Sequence, residues 1–441
     1  MDLNPTRPTR PEQIESVMRR QGVLFTIVGT AALAGAAMAP APSAPAPAYV
    51  RASSTAARLA YLARAVIWRD PGPLTAEQIR TGPQSELPQA FVDPNPEGVD
   101  CRWEHPGTGL GGRTAKFICR TPNGQSIRVK YFDGNPSSGN REVFAAVIAE
   151  RLVWALGFST DPVYAIRIKC LECPANPMTG AGPRTTRQFL ATYEPHYAGT
   201  IIVSRTDPEQ GWTFGEVDTA IDRLPPGAER ARQRMHFDAL ALLGAFIQHG
   251  DRKHSQQRLV CAGPIDLRAG DLHDVGHGDA SGSPLLVLFE RPGAIACPGE
   301  SEIQLQDIGA TFGSAGQFTP NVGAKVNLGQ WASRRVFVAT ASTGGDAGAC
   351  HAALEVSGTA GEDARPNPRV GEAGRQLLLA QLKRLTRAHV LALFEAAHLE
   401  LLGGPVPEWR DRSGVLHTGV DAWTAAFLDK VDQIAAKTCS P

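Results

Sequence analysis

The chain has 441 residues, with 44 basic against 44 acidic side chains, so its charge balance gives no general affinity for nucleic acid or an anionic membrane surface. Selective binding must therefore come from a localised site. Hydrophobic residues make up 42% of the chain, enough for one large two-lobed domain or two smaller ones, and no internal repeat is visible.

In chain order, the first forty or so residues do not read as part of a fold. Met18-Arg19-Arg20 precedes an apolar run from Gly22 to Ala39 that ends in small residues, the layout of an export signal. The run is rich in Ala and Gly and near the lower limit of roughly 17–25 residues for a spanning helix, which favours a cleaved signal over the alternative, an uncleaved anchor. The segment before Met18 is polar and contains proline, which makes Met18 an alternative start. Residues 40–48 then form an extended Pro-Ala spacer. The mature protein is expected to begin between about Ala39 and Tyr49, to be periplasmic or secreted, and to have no stable membrane span after cleavage.

All eight cysteines follow this segment, and an even number in an exported chain favours disulfides. Proximity suggests Cys101 with Cys119 and Cys261 with Cys297. Cys170 and Cys173 have the spacing of half a zinc site, but no second pair at ligand spacing follows.

A short helix is expected over residues 56–68, followed by a proline-rich loop. From Cys101 the pattern changes to short strands. Glycines at 107, 109, 111 and 112 lead into a strand carrying Lys116, Pro122-Asn123-Gly124 marks a hairpin turn, and residues 126–132 return. Strand alternation puts Ile127 and Val129 on one face and Arg128, Lys130 and Phe132 on the other. Lys116 and Lys130 can then converge across one ribbon; the alternative is two solvated surface lysines.

Residues 140–158 carry the clearest helical signal. Asn140 is an N-cap candidate, Glu142 suits the positive end of the helix dipole, and Gly157 is a natural stop. Phe144, Val147, Ile148 and Leu152 form an apolar stripe, and Glu150 is expected to pair with a nearby arginine. Strand-like pieces at 163–168 and 188–192 flank the Cys170 loop and complete a small sheet. A buried helix over 230–246, with Met235, Leu240, Leu243 and Phe246 at helical spacing, delivers its C-terminal end to His249-Gly250-Asp251. Residues 257–261 read as a strand. A loop with His273, Asp274, His277 and Asp279 is better read as a solvated insertion than as a metal site, and residues 302–305 bring in Asp307. Helices at 371–387, 388–402 and 420–436 close the chain, the last with a stripe of Trp423, Phe427, Val431 and Ile434.

Asp251 and Asp307 both lie where an apolar run gives way to turn residues, so buried structure should hold each carboxylate on a loop. Asp251, Lys253 and the amide of Gln256, followed by Asp307-x-Gly309, appear in the order that phosphoryl transfer uses. In that order the first acid orients a hydroxyl, the amide holds a metal, and the second acid holds the metal that bridges the phosphates.

Glycine-rich turn, Lys116, Lys130, Glu142, the Asp251 loop and Asp307-x-Gly309 together resemble the protein-kinase-like fold. The chain is most similar to secretory-pathway kinases of the Golgi casein-kinase type, with HipA-type bacterial kinases and phosphatidylinositol kinases as more distant relatives. Glu142-Val-Phe-Ala-Ala, ending in Leu156-Gly157-Phe158, is similar to the regulatory helix of the Golgi family. Asp307-Ile-Gly-Ala-Thr-Phe-Gly313 is similar to its metal-binding segment, and a group of exported bacterial proteins also shares Gly-Ala-Thr-Phe-Gly and Gln-Gln-Arg-Leu. The resemblance covers roughly residues 101 to 400. It departs from the Golgi pattern at Lys253, where that family has His, and at Gln256, where Asn or an acid is usual.

The resemblance implies an α+β, two-lobed fold with a small antiparallel-sheet N-lobe (residues 101–200) and a mainly helical C-lobe (201–441), after a signal peptide (1–40) and a linker with a helical extension (41–100). It implies ATP and Mg²⁺ or Mn²⁺ as cofactors and an acceptor hydroxyl on a protein, glycan or lipid. Gly111, Gly112, Lys116, Lys130 and Glu142 would form the nucleotide site, Gln256 and Asp307 would hold the metal, and Asp251 and Lys253 would serve catalysis. Glu142 either pairs with the strand lysine or contributes to the metal. A pseudokinase-type module that binds nucleotide or a partner without catalysis is the alternative function; a metal-dependent hydrolase built on the His-Asp loop lacks a spaced ligand set.

Overall fold

The computed structural model describes residues 48–51, 55–83, 98–105, 114–124, 126–135, 140–193, 200–203, 211–261, 272–278, 284–289, 300–314, 325–339, 349–355 and 366–440. The chain divides into Met1–Ala41 and Pro42–Pro441, and every described residue lies in the second unit. The expected signal therefore lies outside the described residues. Among the described residues no helix is long and apolar enough to cross a membrane.

Five strands, Val99–Glu104, Lys116–Arg120, Ser126–Phe132, Tyr164–Asn176 and Ala181–Tyr193, form a closed barrel. The expectation was a small antiparallel sheet. The barrel closes because Tyr164–Asn176 is 13 residues long and its middle pairs in parallel with residues 99–102, removing a free edge. The expected cysteine loop is part of this ribbon: the strands continue past a register shift between Cys170 and Cys173, where the extra residues bulge. Phe117, Ile127, Val129, Tyr131, Ile166 and Phe189 fill the interior.

Three disulfides join described cysteines: Cys101–Cys119, Cys170–Cys173 and Cys350–Cys439, with Cα separations of 5.5, 5.4 and 5.2 Å. The first pairing is the one proximity suggested, and the second takes up the candidate zinc half-site. Cys261 is also disulfide-bonded; its expected partner Cys297 lies outside the described residues.

The second half is less purely helical than expected. A seven-stranded sheet runs in the order Leu272–Gly278, Pro284–Phe289, Ala48–Arg51, Thr200–Val203, Gln257–Cys261, Ser301–Leu305, Ser159–Thr160. Ala48–Arg51, which begins at the last residue of the expected spacer, is an inner strand of this sheet. Four residues carry too little alternation to reveal that role. Leu272–Gly278 is a strand where a loop was expected, and Asp279 lies outside the described residues.

Helix Glu142–Ala155 is buried at every position but Trp154, so the expected stripe understates its surroundings. Barrel strands pack on it, as do the helices Ala76–Thr81 and Arg387–Glu395, and a helix enclosed this way needs apolar residues all round. Glu150 is enclosed with it, and Arg151 Nη1 comes no closer than 3.9 Å, so the expected arginine pair is a loose one. Helices Ala228–Ile247, Glu372–Arg384, Arg387–Glu395 and Val420–Ala435 follow the expected periods, except that Arg387–Glu395 stops short of the expected end at residue 402 and Leu399–Leu402 forms a separate 3-10 turn. The break between the second and third of these comes from Thr386, whose hydroxyl accepts from His389 N while His389 Nδ1 accepts from Thr386 N.

Candidate active site

Alternation along Ser126–Phe132 sends Ile127, Val129 and Tyr131 into the barrel and leaves Lys130 and Phe132 facing the Glu142 helix, where Phe132 meets Phe144 at 5.0 Å between ring centroids. The hairpin register pairs Lys116 with Lys130 directly, so both side chains share one face, and both are buried. Asn140 ties the helix start to this strand. Its Oδ1 accepts from Glu142 N at 3.2 Å and its Nδ2 donates to Tyr131 O at 3.3 Å.

Lys130 Nζ then lies 2.8 Å from Glu142 Oε1 and 2.7 Å from Asp307 Oδ1. The other oxygen of Glu142 accepts from Lys325 Nζ at 2.6 Å and from Thr114 Oγ1 at 2.5 Å. Burial alone would raise the Glu142 carboxyl pKa, but Lys130 and Lys325 hold it well below the usual carboxylate range. Burial and the neighbouring charges of Lys130 and Arg128 push Lys116 down. Asp307 follows strand Ser301–Leu305 in the left-handed region, with φ 49°. Its segment is pinned by Phe312 N donating to Ile247 O at 2.8 Å.

Gly309 is required by space. A Cβ at this position would lie 2.2 Å from Glu142 Cγ. Gly309→Ala is therefore expected to displace Glu142 and to cost about 1–3 kcal/mol as an overpacking change. Melting temperature measures this; a variant with the wild-type value would show that the glycine is not needed there.

The second cluster begins where helix Ala228–Ile247 ends at Gln248, in a left-handed conformation with φ 57°. Gln248 Nε2 donates to Ala245 O and Ala353 O at 2.7 and 2.9 Å, satisfying one of the last helical carbonyls. Arg252 folds back under the loop: Nε donates to His249 O at 3.1 Å, and the guanidinium lies 4.0 Å over the Phe214 ring. Its burial pushes its pKa down to about 9. Asp251 is held above this anchor. Gln256 Nε2 donates to Asp251 Oδ2 at 3.0 Å and Lys253 Nζ lies 3.6 Å from the same oxygen. Asp251 Oδ1 and Gln256 Oε1 are buried with no hydrogen-bond partner.

Backbone pairing brings the two clusters to one end of the sheet. Gln257 is paired with Leu305, and Gln306 N donates to Gln256 O at 2.9 Å, so the Asp251 loop and Asp307 leave the same end of two paired strands. Of the residues expected at the site, Lys116, Lys130, Glu142 and Asp307 form one group, and Asp251, Lys253 and Gln256 form the other beside it. Gly111 and Gly112 lie outside the described residues. Sequence reasoning missed Lys325, Thr114 and Arg252. Lys325 stands in a stretch with no periodic pattern, whereas Arg252 could have been suspected from its place between Asp251 and Lys253.

A metal fits the oxygen chemistry. The Asp307 carboxylate and the unpartnered Oε1 of Gln256 are hard donors of the kind Mg²⁺ and Mn²⁺ take. Among the described residues no cluster of three or more His, Cys, Asp and Glu is placed to hold a metal by itself. Such a metal would therefore need phosphate oxygens or water as further ligands.

No protein-family model matches the chain. No curated protein matches it at significant similarity. Among solved structures it is similar to a Helicobacter pylori proinflammatory kinase, CtkA, with 12% identity over 77% of this chain and 95% of that one and a TM-score of 0.35. So loose a superposition decides neither the fold nor the chemistry.

Proposed function

We propose that the protein is an exported, kinase-like phosphotransferase that moves the γ-phosphoryl group of ATP to a hydroxyl of a protein, glycan or lipid. The observation that carries this reading is the position of Lys130, between the helix carboxylate of Glu142 and the loop carboxylate of Asp307. A buried lysine held by two acids from distant parts of the chain is poised for phosphate oxygens once Asp307 turns to a cation. In this reading the barrel and the helical half are the two lobes, and the disulfides support export.

Lys130 and Lys116 receive the phosphate tail, and Glu142 keeps Lys130 in place. Asp307 and Gln256 would hold Mg²⁺ or Mn²⁺, which when bound neutralises charge on the phosphates. Asp251 accepts the acceptor's hydroxyl proton as the hydroxyl oxygen bonds to the γ-phosphorus. The bond from that phosphorus to the β–γ bridging oxygen breaks, and ADP leaves. Lys253 balances charge on the transferred group.

A binding module without catalysis is the second reading, and Gln256 favours it because the amide stands where kinases usually have Asn. Thermal stabilisation of the purified protein by ATP, with and without Mn²⁺, tests the site. A rise in melting temperature that needs the cation is expected, whereas no shift with either would sink the phosphotransferase reading and leave only a module that binds a partner. ADP formation on adding candidate hydroxyl acceptors separates the first reading from the second.

A further inference from the structure

A cleft of about 540 Å³ lies between helices Phe214–Asp222 and Ala228–Ile247 and strand Arg369–Val370, and none of the nucleotide or metal candidates lines it. The most deeply buried charged residue of its lining is Arg252, which is 1% exposed and directly follows Asp251. The fold makes room for this guanidinium at Gly244, where a Cβ would lie 1.6 Å from Arg252 Nη2. Nε donates to His249 O at 3.1 Å, Nη2 to Ala241 O at 3.4 Å, and the Phe214 ring covers one face at 4.0 Å. The third nitrogen, Nη1, is buried with no hydrogen-bond partner, and among the described residues no carboxylate pairs with this arginine. A buried cation with an unmet donor and no counter-ion is costly unless a ligand supplies both.

The rest of the lining limits what that ligand can be. Arg234 is already committed, with Nη1 2.5 Å from Asp218 Oδ1 and Nη2 3.0 Å from Asp222 Oδ1, while Asp238 Oδ2 accepts from Gly371 N at 2.8 Å. Three aspartates thus stand in the cleft against Arg234, Arg252 and the exposed Arg369, a balance that disfavours a multiply charged anion such as a polyphosphate. The tilted rings of Phe214 and Phe237, 5.7 Å apart, give the same cleft an apolar wall. Its volume is in the range of small-molecule sites, which combine such walls with a few polar groups.

We propose that this cleft is a binding site for a small aromatic monocarboxylate, whose carboxylate pairs with Arg252 and whose ring lies against Phe214 and Phe237. The inference does not depend on the phosphotransferase reading, because the cleft shares no lining residue with the Lys130 cluster. Benzoate is the probe, with benzyl alcohol as its uncharged counterpart and inorganic phosphate as an anion without an apolar body. The purified protein and its Arg252→Gln, Arg369→Glu and Lys130→Met variants are titrated with each by calorimetry, and their melting temperatures are recorded.

Benzoate should bind at least about tenfold more tightly than benzyl alcohol, the scale of a charge-assisted contact, and phosphate should bind more weakly than benzoate. Arg252→Gln should lower benzoate affinity by about tenfold or more. Should that variant fail to fold, Arg369→Glu decides: placing a further negative charge on the exposed rim should weaken benzoate by roughly two- to fivefold without lowering the melting temperature. Lys130→Met should leave benzoate binding unchanged. No heat of binding at millimolar benzoate would overturn the proposal, and so would equal affinity for benzyl alcohol or tighter binding of phosphate. Unchanged affinity in folded Arg252→Gln, or in Arg369→Glu where the former does not fold, would do the same, as would loss of benzoate binding in Lys130→Met, which would move the ligand to the other cluster.

Discussion

Asp251→Asn is expected to lower phosphoryl transfer by about 10²- to 10⁴-fold, the usual contribution of a positioned acid or base, while nucleotide affinity stays close to wild type. The carboxylate is half committed: Oδ2 receives the Gln256 amide at 3.0 Å, while Oδ1 is buried without a partner. That second oxygen is free for an acceptor hydroxyl. An asparagine keeps the shape but has only one accepting oxygen, so it cannot both hold Gln256 and take the proton. Because the contact with the acceptor strengthens in the transition state, the rate should fall and ATP binding should not.

Gln256→Asn is the companion variant. It shortens the side chain by one methylene and loosens either the bond to Asp251 or the reach toward a metal, so activity should change in either direction. Steady-state turnover and ATP titration of both variants measure these effects. Equal turnover in wild type and Asp251→Asn, with intact nucleotide binding, would remove Asp251 from catalysis.

Glu150→Gln should stabilise the fold, and by more as the pH rises. Glu150 is fully enclosed in the helix between the barrel and the C-terminal helices, and burial pushes its carboxyl up to about 8 against the opposing pull of Arg151 and the Val163 amide. Its pKa in the unfolded chain is near 4.5. Between these values the unfolded chain has released a proton that the native protein keeps. Stability therefore falls as pH rises from about 4.5 to about 8 and levels off above that.

The full shift is worth on the order of 3–5 kcal/mol at pH 8, and glutamine, which does not titrate, removes it. Urea unfolding at pH 5, 6.5 and 8 should show the two proteins diverging by up to about 1.4 kcal/mol per pH unit within the window. Parallel curves would mean that the glutamate is ionised in the native state.

How far the sequence alone reached follows from the range of the interactions concerned. Helix periods and caps are local, so Ala228–Ile247 and Val420–Ala435 were legible to within a residue or two. The convergence of Lys116 and Lys130 was legible as well, because a hairpin turn and strand alternation determine which side chains face each other across one ribbon. Asp251 and Asp307 could be picked out because each stands where an apolar run meets turn residues, and Gln256 by its spacing from Asp251. That signal needs only neighbours in sequence.

Contacts between distant segments were decided by the tertiary structure. The barrel closes through a parallel pairing of residues 99–102 with 168–171, which no period in either strand announces. Glu142 by its local pattern looked like a residue matched to a helix dipole; the resemblance allowed its pairing with the strand lysine, but only packing made it the partner of Lys325 as well, 183 residues further along the chain. The enclosure of Glu150 and Arg252 has the same origin. Whether a charged side chain is solvated or buried depends on what folds over it, and that is set by elements far away in sequence.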